Sequence, residues 1–266
     1  MIQNKDKVAI VTGAAKNIGR ATCDSLSKLG FNILVHANSD KEGAVETLEI
    51  VKKNGVNGDI FIGDLTKEET SHYLVNAGSE IGKISILVNN ASQREFNKFD
   101  DMSFEEWRFV LSINLDTLFH TCKAVIPEMK KNNWGRIVNM SSIGGIYPNP
   151  KLTISHGLSA AINNLTKSLS LDLAPYNIIV NAIGIGAVRT KNWEENMLPK
   201  VRQTRKDLAS LNDEEIIKSI GKEHTPVGRF GKPIEIAQIA CFLCSECNGF
   251  VTGSVIEASG GADKFM

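Results

Sequence analysis

The sequence predicts an α/β fold: a single domain built on one doubly wound parallel sheet of seven strands, with helices on both faces. Three observations carry the prediction. Short β-branched runs alternate with longer amphipathic stretches from one end of the chain to the other, the order expected when crossover helices return each strand parallel to the last. No internal repeat, low-complexity tract or linker interrupts that alternation. The length of 266 residues suits one large domain with a substantial core.

In chain order, Val8–Thr12, Asn32–His36, Asp59–Ile62, Ile84–Asn89, Arg136–Met140, Ile178–Ala182 and Ser254–Glu257 read as strands. Between them, Ile18–Leu29, Lys41–Lys53, Lys67–Gly82, Phe104–Lys131, Ile154–Ala174 and Pro233–Cys244 read as amphipathic helices. Right-handed crossovers then wind the sheet in two directions. The segment from about Thr190 to Pro226 departs from the rhythm, being charged, helical in pattern and strand-free. An insertion there overhangs the carboxyl ends of the strands, where such sheets bind ligands, so it reads as a substrate lid (about 190–226) within a single 1–266 domain.

Bulk properties exclude several classes. Lys plus Arg and Asp plus Glu are both 30, and this balance favours neither nucleic acid nor an anionic membrane as partner. The stretch Met1–Lys7 is polar and lacks the apolar core of a signal peptide. No apolar run approaches the ~18 residues of a membrane span. Five cysteines, an odd number, do not form a disulfide framework. A reducing, cytoplasmic location is the expectation.

The first strand ends in Thr12-Gly13-Ala14-Ala15-Lys16-Asn17-Ile18-Gly19, and a helix follows. Gly13 permits a tight turn, and Gly19 permits close helix–strand packing. The helix N-terminus offers N–H groups and a positive dipole end to a pyrophosphate. After the first strand of an α/β chain this is a Rossmann-type dinucleotide cradle; the bland alternative is a plain turn. Asn17 stands where a third glycine is usual, and Asn tolerates left-handed backbone, although its side chain crowds the phosphate.

At this point the chain resembles the short-chain dehydrogenase/reductase family along nearly its whole length. Thr12-Gly13 with Asn17 and Gly19 resembles the family's TGxxxGxG. Asp64-Leu65 resembles its adenine-contacting Asp, and Asn89-Asn90-Ala91-Ser92 its NNAG. Ile113-Asn114-Leu115 matches its helix-borne catalytic Asn, and Met140-Ser141-Ser142 the strand end carrying its catalytic Ser. Asn181-Ala182 with Gly186, Val188 and Thr190 resembles its NAxxPGxxxT. Thr225–Arg229 and Ser259-Gly260-Gly261 match its C-terminal region. The resemblance implies nucleotide contacts at Gly13, Lys16, Asn17, Ile18, Gly19, Asp64, Leu65, Asn90, Ala91, Gly186, Val188 and Thr190. It also implies a homo-oligomer, a tetramer, using the helices around Phe104–Lys131 and Ile154–Ala174.

Selection of NAD places an acid at the end of the second strand, on the ribose 2′-OH. Here Ala37 occupies that place and Asp40 lies too far along. Lys16 with Asn38 and Ser39 can instead hold a 2′-phosphate. NADP(H) is therefore expected over NAD(H), the alternative being a solvated Lys16 and an ordinary turn.

The family's proton donor is a Tyr, with a Lys four residues later that holds the nicotinamide ribose and lowers the Tyr pKa. Aligning Ala160-Ala161-Ile162 and Leu165–Leu169 on the stretch that follows this pair puts Ser155 in the Tyr place and Ser159 in the Lys place. Ser155 follows Ser142 by thirteen residues, the family's spacing. Tyr147 and Lys151 have the same i, i+4 separation, but Pro148 and Pro150 make that stretch an extended or turn segment rather than a helix face. The expected catalytic set is thus Asn114, Ser142, Ser155 and Ser159, with Gln93, Tyr147 and His156 as pocket residues. His156 is either a replacement acid or a packing residue. Gln93, Arg94 and Glu95 at the cleft mouth either contact substrate or are solvated. A serine hydroxyl is a poor proton donor near neutrality, so the expected substrate is a small molecule with an activated acceptor, an iminium or conjugated enone, rather than a simple ketone. The alternatives are a nucleotide-binding pseudoenzyme and a non-redox isomerase or cyclase. Cys241-x-x-Cys244-x-x-Cys247 has metal-like spacing, but no nearby ligand completes a four-coordinate site; buried thiols and no metal are expected. Trp107, Phe109 and Leu111 read as core or subunit packing.

Overall fold

The computed structural model describes residues 4–95 and 98–262. Its elements run β1 (Lys7–Val11), α1 (Asn17–Lys28), β2 (Asn32–Ala37), α2 (Lys41–Lys53), β3 (Gly58–Ile62), α3 (Glu68–Ser79), β4 (Lys83–Asn89), α4 (Phe104–Leu111), α5 (Thr117–Asn132), β5 (Gly135–Ser142), α6 (Thr153–Leu173), β6 (Ile178–Ile185), α7 (Lys191–Asn196), α8 (Leu198–Thr204), α9 (Asp213–His224), α10 (Pro233–Cys244) and β7 (Val255–Ala258). The strands form one sheet in the order β3-β2-β1-β4-β5-β6-β7. Every pairing is parallel. The order reverses between β1 and β4, which opens a crevice at their carboxyl ends.

Two apolar layers hold the sheet. On one face Cys23 and Leu26 of α1, Ala44 and Val51 of α2, and Ile236 and Leu243 of α10 pack on the strands. On the other, Leu74 of α3, Leu118, Val125 and Met129 of α5, and Ile162 and Leu173 of α6 do so. Both faces are therefore covered, as an all-parallel sheet requires. Helix Phe104–Asn132 is long and apolar enough to cross a membrane, but its Leu118, Cys122, Val125 and Met129 stripe is buried against the sheet, as in a core helix.

The expected elements are all present, with one difference. The helix expected over Phe104–Lys131 is interrupted by a π turn at Ser112–Asp116. At its end both the N–H and the hydroxyl of Thr117 donate to the Ser112 carbonyl, five residues back. The wider turn is a backbone hydrogen-bonding feature that the apolar pattern does not specify, and such turns gather at functional sites. The strand-free insertion is a helical subassembly of α7, α8, the turn Lys206–Leu208 and α9. It has its own apolar cluster, including Trp193, Leu198, Leu208, Ile216, Ile220 and Phe230. Arg189 ties α7 to α9 through Glu194 and Glu214, each at 2.5 Å.

Candidate active site

The crevice begins at the turn after β1. Gly13 (φ +62°) and Asn17 (φ +52°) both take left-handed backbone. A Cβ on Gly13 would lie 2.9 Å from the Ala91 Cα. Lys16 precedes α1 in extended conformation without a side-chain cap, so the first N–H groups of α1 are left for a ligand. The Asn17 side chain does not stay in the turn. Its Oδ1 accepts from the Lys191 N–H at 3.2 Å, across the crevice, at the start of α7. Thr190 caps that helix by accepting from the Trp193 N–H. The Asp40 carboxylate is turned away to cap α2, accepting from the Gly43 N–H at 2.9 Å. Lys16, Asn38 and Ser39 are exposed at the rim. The Asp64 carboxylate accepts from both the hydroxyl and the N–H of Thr66, which hold its pKa below the usual carboxylate range. Gly186 lies against Ser259, where a Cβ would come within 2.7 Å of the Ser259 Cα.

The turn is stitched to its neighbours. The Thr12 hydroxyl accepts from the N–H groups of Asn90 and Ala91, and Asn90 Nδ2 donates to the carbonyls of Thr12 and Gly13. His36, fully inside β2, accepts from the Gly13 N–H through Nδ1 at 3.2 Å. Its Nε2 lies 2.9 Å from the Gly63 carbonyl, which fixes the Nε2-protonated tautomer. Burial lowers its pKa from 6.5 to about 4. Below the crevice runs a buried polar chain. Thr121 donates to Asn89, Asn89 to Asn139, and Asn139 to Thr166, at 2.7 to 2.9 Å. A shallow, solvent-open recess lies above it, with Thr12, Ala91, Ser92, Asn114 and Met140 among its walls.

At the chemical end, Asn114 sits in the π turn and grips Gln93. Its Nδ2 donates to the Gln93 carbonyl at 2.7 Å and its Oδ1 accepts from the Gln93 N–H at 3.3 Å. The Ser142 hydroxyl accepts from the Gly144 N–H. Ser155 and Ser159 lie on successive turns of α6, and the Ser159 hydroxyl donates back to the Ser155 carbonyl at 2.8 Å. The Ser141 hydroxyl meets the Ser159 carbonyl, which joins β5 to this helix. Glu95 is 9% exposed. Its carboxylate accepts from the N–H groups of Ile154 and Ser155 and from the Ser155 hydroxyl. The His156 ring is buried under the turn after β5, where a Cβ on Gly144 would run into it. Its Nδ1 accepts from the Asn149 N–H at 2.8 Å. Burial lowers its pKa, Glu95 opposes this, and Arg94 adds to it. Tyr147 lies in the loop after β5 and Lys151 in the turn Pro150–Leu152, so the two do not share a helix face.

The motifs single out Asn114, the serines and the turn after β1; His36 goes unmarked, and Glu95, left open between substrate contact and solvation, is buried and engaged with α6. His36 is the one polar residue in the interior of a strand that Asn32 begins, a signal that was legible. Glu95 gives no such signal, because its partners lie about 60 residues away. Cys241 and Cys244 are buried against α1; burial pushes the Cys241 thiol up to about 12. Trp107 and Leu111 pack with Val110, Ile154 and Leu158.

Comparison with known proteins agrees with this geometry. Residues 7–200 match the family model described as short chain dehydrogenase. The chain is 34% identical over 261 residues to the 3-oxoacyl-(acyl-carrier-protein) reductase FabG of Aquifex aeolicus, covering 98% of both chains. It is 35% identical over 262 residues to glucose 1-dehydrogenase 2 of Bacillus subtilis, covering 96% of this chain and 94% of that protein. Among solved structures, L-sorbose reductase from Gluconobacter frateurii, complexed with NADPH and L-sorbose, superposes with a TM-score of 0.90 at 26% identity over 98% of each chain. An actinorhodin polyketide ketoreductase variant with NADPH gives 0.85 at 30% identity, again over 98% of each chain. The parallel seven-stranded sheet, the glycine turn after β1 and the Asn114 helix thus have one common source: the chain belongs to the short-chain dehydrogenase family of oxidoreductases.

Proposed function

We propose that the protein is an NADP(H)-dependent oxidoreductase with an altered proton-donating pair, acting on a small, already activated acceptor such as an iminium or conjugated enone. The observation that carries this reading is the state of Ser155. It stands at the head of α6, where the family resemblance puts the Tyr, and its proton is engaged by Glu95. Ser159, in the Lys place, is folded back onto its own helix. Tyr147 and Lys151 lie off that helix. A simple ketone needs a proton on its oxygen as hydride arrives, and losing a general acid forfeits about 10²–10⁴ in rate. An iminium needs none.

The residues present fit a phosphorylated dinucleotide. The α1 N-terminus lacks a side-chain cap, and Gly13 brings backbone close to the ligand path. At the rim Lys16, Asn38 and Ser39 are exposed while Asp40 is spent on α2, a set that suits a 2′-phosphate. The NADPH-bound relatives support the same choice. When bound, the dinucleotide supplies or takes the hydride. Thr12, Asn89 and Ala91 shape the recess beneath it, Asn114 fixes the Gln93 backbone at its edge, and the α7–α9 subassembly serves as the substrate lid. A cytoplasmic homotetramer completes the reading. It is supported by five free cysteines and by exposed Phe104, Phe109 and Phe119 on the α4–α5 helix and Leu165 and Leu171 on α6.

A nucleotide-binding pseudoenzyme, or an isomerase or cyclase on the same frame, is the second reading. The Asn17 side chain spanning the cradle favours it, since it crowds the pyrophosphate path. One experiment separates the readings. Calorimetric titration with NADPH and NADH is paired with a turnover screen of ketones, iminium ions and enones. NADPH binding that falls about tenfold in Lys16→Ala, with turnover of iminium or enone but slow ketone reduction, supports the proposal. Binding without any turnover supports the second reading.

A further inference from the structure

Glu95 reverses the hydrogen-bonding polarity of the site. The helix α6 has no cap of its own, for Leu152 makes no side-chain capping bond. Glu95 fills that role from the loop after β4, accepting from the Ile154 N–H at 3.0 Å and the Ser155 N–H at 3.2 Å. The same carboxylate takes the Ser155 hydroxyl proton. A serine oxygen has one proton and two lone pairs. With the proton spent on a carboxylate, which only accepts, the half-buried Ser155 oxygen can offer a ligand nothing but lone pairs. The arrangement is held from both sides, since Asn114 grips the Gln93 N–H and carbonyl two residues before Glu95. The Arg94 guanidinium interacts electrostatically with both Glu95 and His156, so charge near the pair is partly balanced. That balance leaves the direction of the Ser155 hydrogen bond unchanged.

Resting on the oxidoreductase reading above, we propose that Glu95 is a positioning residue that makes Ser155 a hydrogen-bond acceptor, so that the site selects substrates presenting an N–H donor on a cationic nitrogen. The substrate class is the protonated imine in the reductive direction and the corresponding amine in the oxidative direction. A carbonyl oxygen, itself an acceptor, faces lone pairs and is disfavoured. The chemistry balances without an added acid. The imine carbon receives hydride from the reduced dinucleotide, and the C=N π pair moves onto nitrogen, discharging its positive charge. The product is a neutral amine, reduced by two electrons as the dinucleotide is oxidised.

The test measures binding as well as turnover. Pyrrolidine, protonated at neutral pH, and cyclopentanone are titrated by calorimetry or ligand-observed NMR into dinucleotide-saturated protein, in the wild type, Glu95→Gln and Ser155→Ala. The Gln amide can donate to the Ser155 oxygen, which frees the serine proton for a carbonyl. Wild type should prefer the ammonium probe at least tenfold, Glu95→Gln should lose or invert that ratio, and Ser155→Ala should abolish it while leaving the Glu95 cap on α6 intact. A merely structural Glu95 would weaken both probes together and leave the ratio unchanged. An unchanged ratio in Glu95→Gln, a wild-type preference for the ketone, or binding of neither probe overturns the proposal. Should Glu95→Gln not fold, a ratio retained in Ser155→Ala overturns it equally. A Glu95-dependent preference without turnover of 1-pyrroline sinks the oxidoreductase reading alone. Turnover of 1-pyrroline with probe and imine preferences indifferent to Glu95→Gln sinks this inference alone.

Discussion

Lowering the pH from 7 to 5 should cost this protein about 2 kcal/mol of stability through one side chain, His36. The ring is 2% exposed. It must stay neutral to accept from the Gly13 N–H while donating to the Gly63 carbonyl. Its pKa falls from 6.5 to about 4 on folding, chiefly through burial. Between those values the unfolded chain binds a proton that the folded one refuses. The contribution is therefore complete above 6.5 and is lost as pH falls towards 4, reaching ~3 kcal/mol at about 1.4 kcal/mol per pH unit. Carboxylates such as Asp64, held below its ordinary value, lose their contributions only at lower pH. His156, also lowered by burial, acts in the same direction as His36, so a variant is needed to separate the two. In His36→Asn the amide oxygen can accept from Gly13 but does not titrate. Urea unfolding of both proteins at pH 7 and 5 should show the variant less stable at pH 7 yet losing about 2 kcal/mol less on acidification. Equal losses in the two proteins would refute the reasoning.

Asn17→Gly should tighten NADPH binding severalfold, because glycine suits φ +52° and the bond to Lys191 disappears from the phosphate path; calorimetry showing equal or weaker binding counts against the idea. The double change Ser155→Tyr with Ser159→Lys should raise ketone reduction by up to about 10²–10⁴, most fully in a Glu95→Gln background. No gain in a variant that still binds dinucleotide would favour the non-redox reading. Light scattering at micromolar concentration should report an assembly larger than a 29.0 kDa monomer, and Phe109→Lys with Leu171→Lys should dissociate it. A monomeric wild type ends that expectation.

The fold was legible because its signals are local. β-Branched runs and helical apolar spacing place every strand and the helices of the sheet layers, and the bounds of α2 and α10 emerge unchanged. The tight turn between β1 and α1 was legible for the same reason, since Gly13, Lys16, Asn17 and Gly19 lie within seven consecutive residues. What was not legible depends on chain crossings. The Asn17–Lys191 bond spans 174 residues, and the Glu95 cap on α6 spans about 60. The π turn at Ser112–Asp116 hid for a different reason, because residue type and apolar spacing do not specify whether a turn closes its hydrogen bond over four residues or five. His36 sat in plain view inside an apolar strand, but only the ring's two partners show that it pins the turn.

The buried chain from Thr121 through Asn89 and Asn139 to Thr166 has a consequence for how this protein can change. It binds β4, β5, α5 and α6 at fixed heights, since sliding either helix by one turn would strand several hydrogen-bonding groups away from water. The scaffold is thus keyed by residues separate from Asn114, Ser142, Ser155 and Ser159, the set that the family resemblance marks for the chemistry. Exchanges at Ser155 and Ser159 should leave this chain intact, since neither side chain bonds to it. A chain of this design can trade one chemistry for another by drift at the rim, and a designer can rewrite the rim with the keyed interior left untouched.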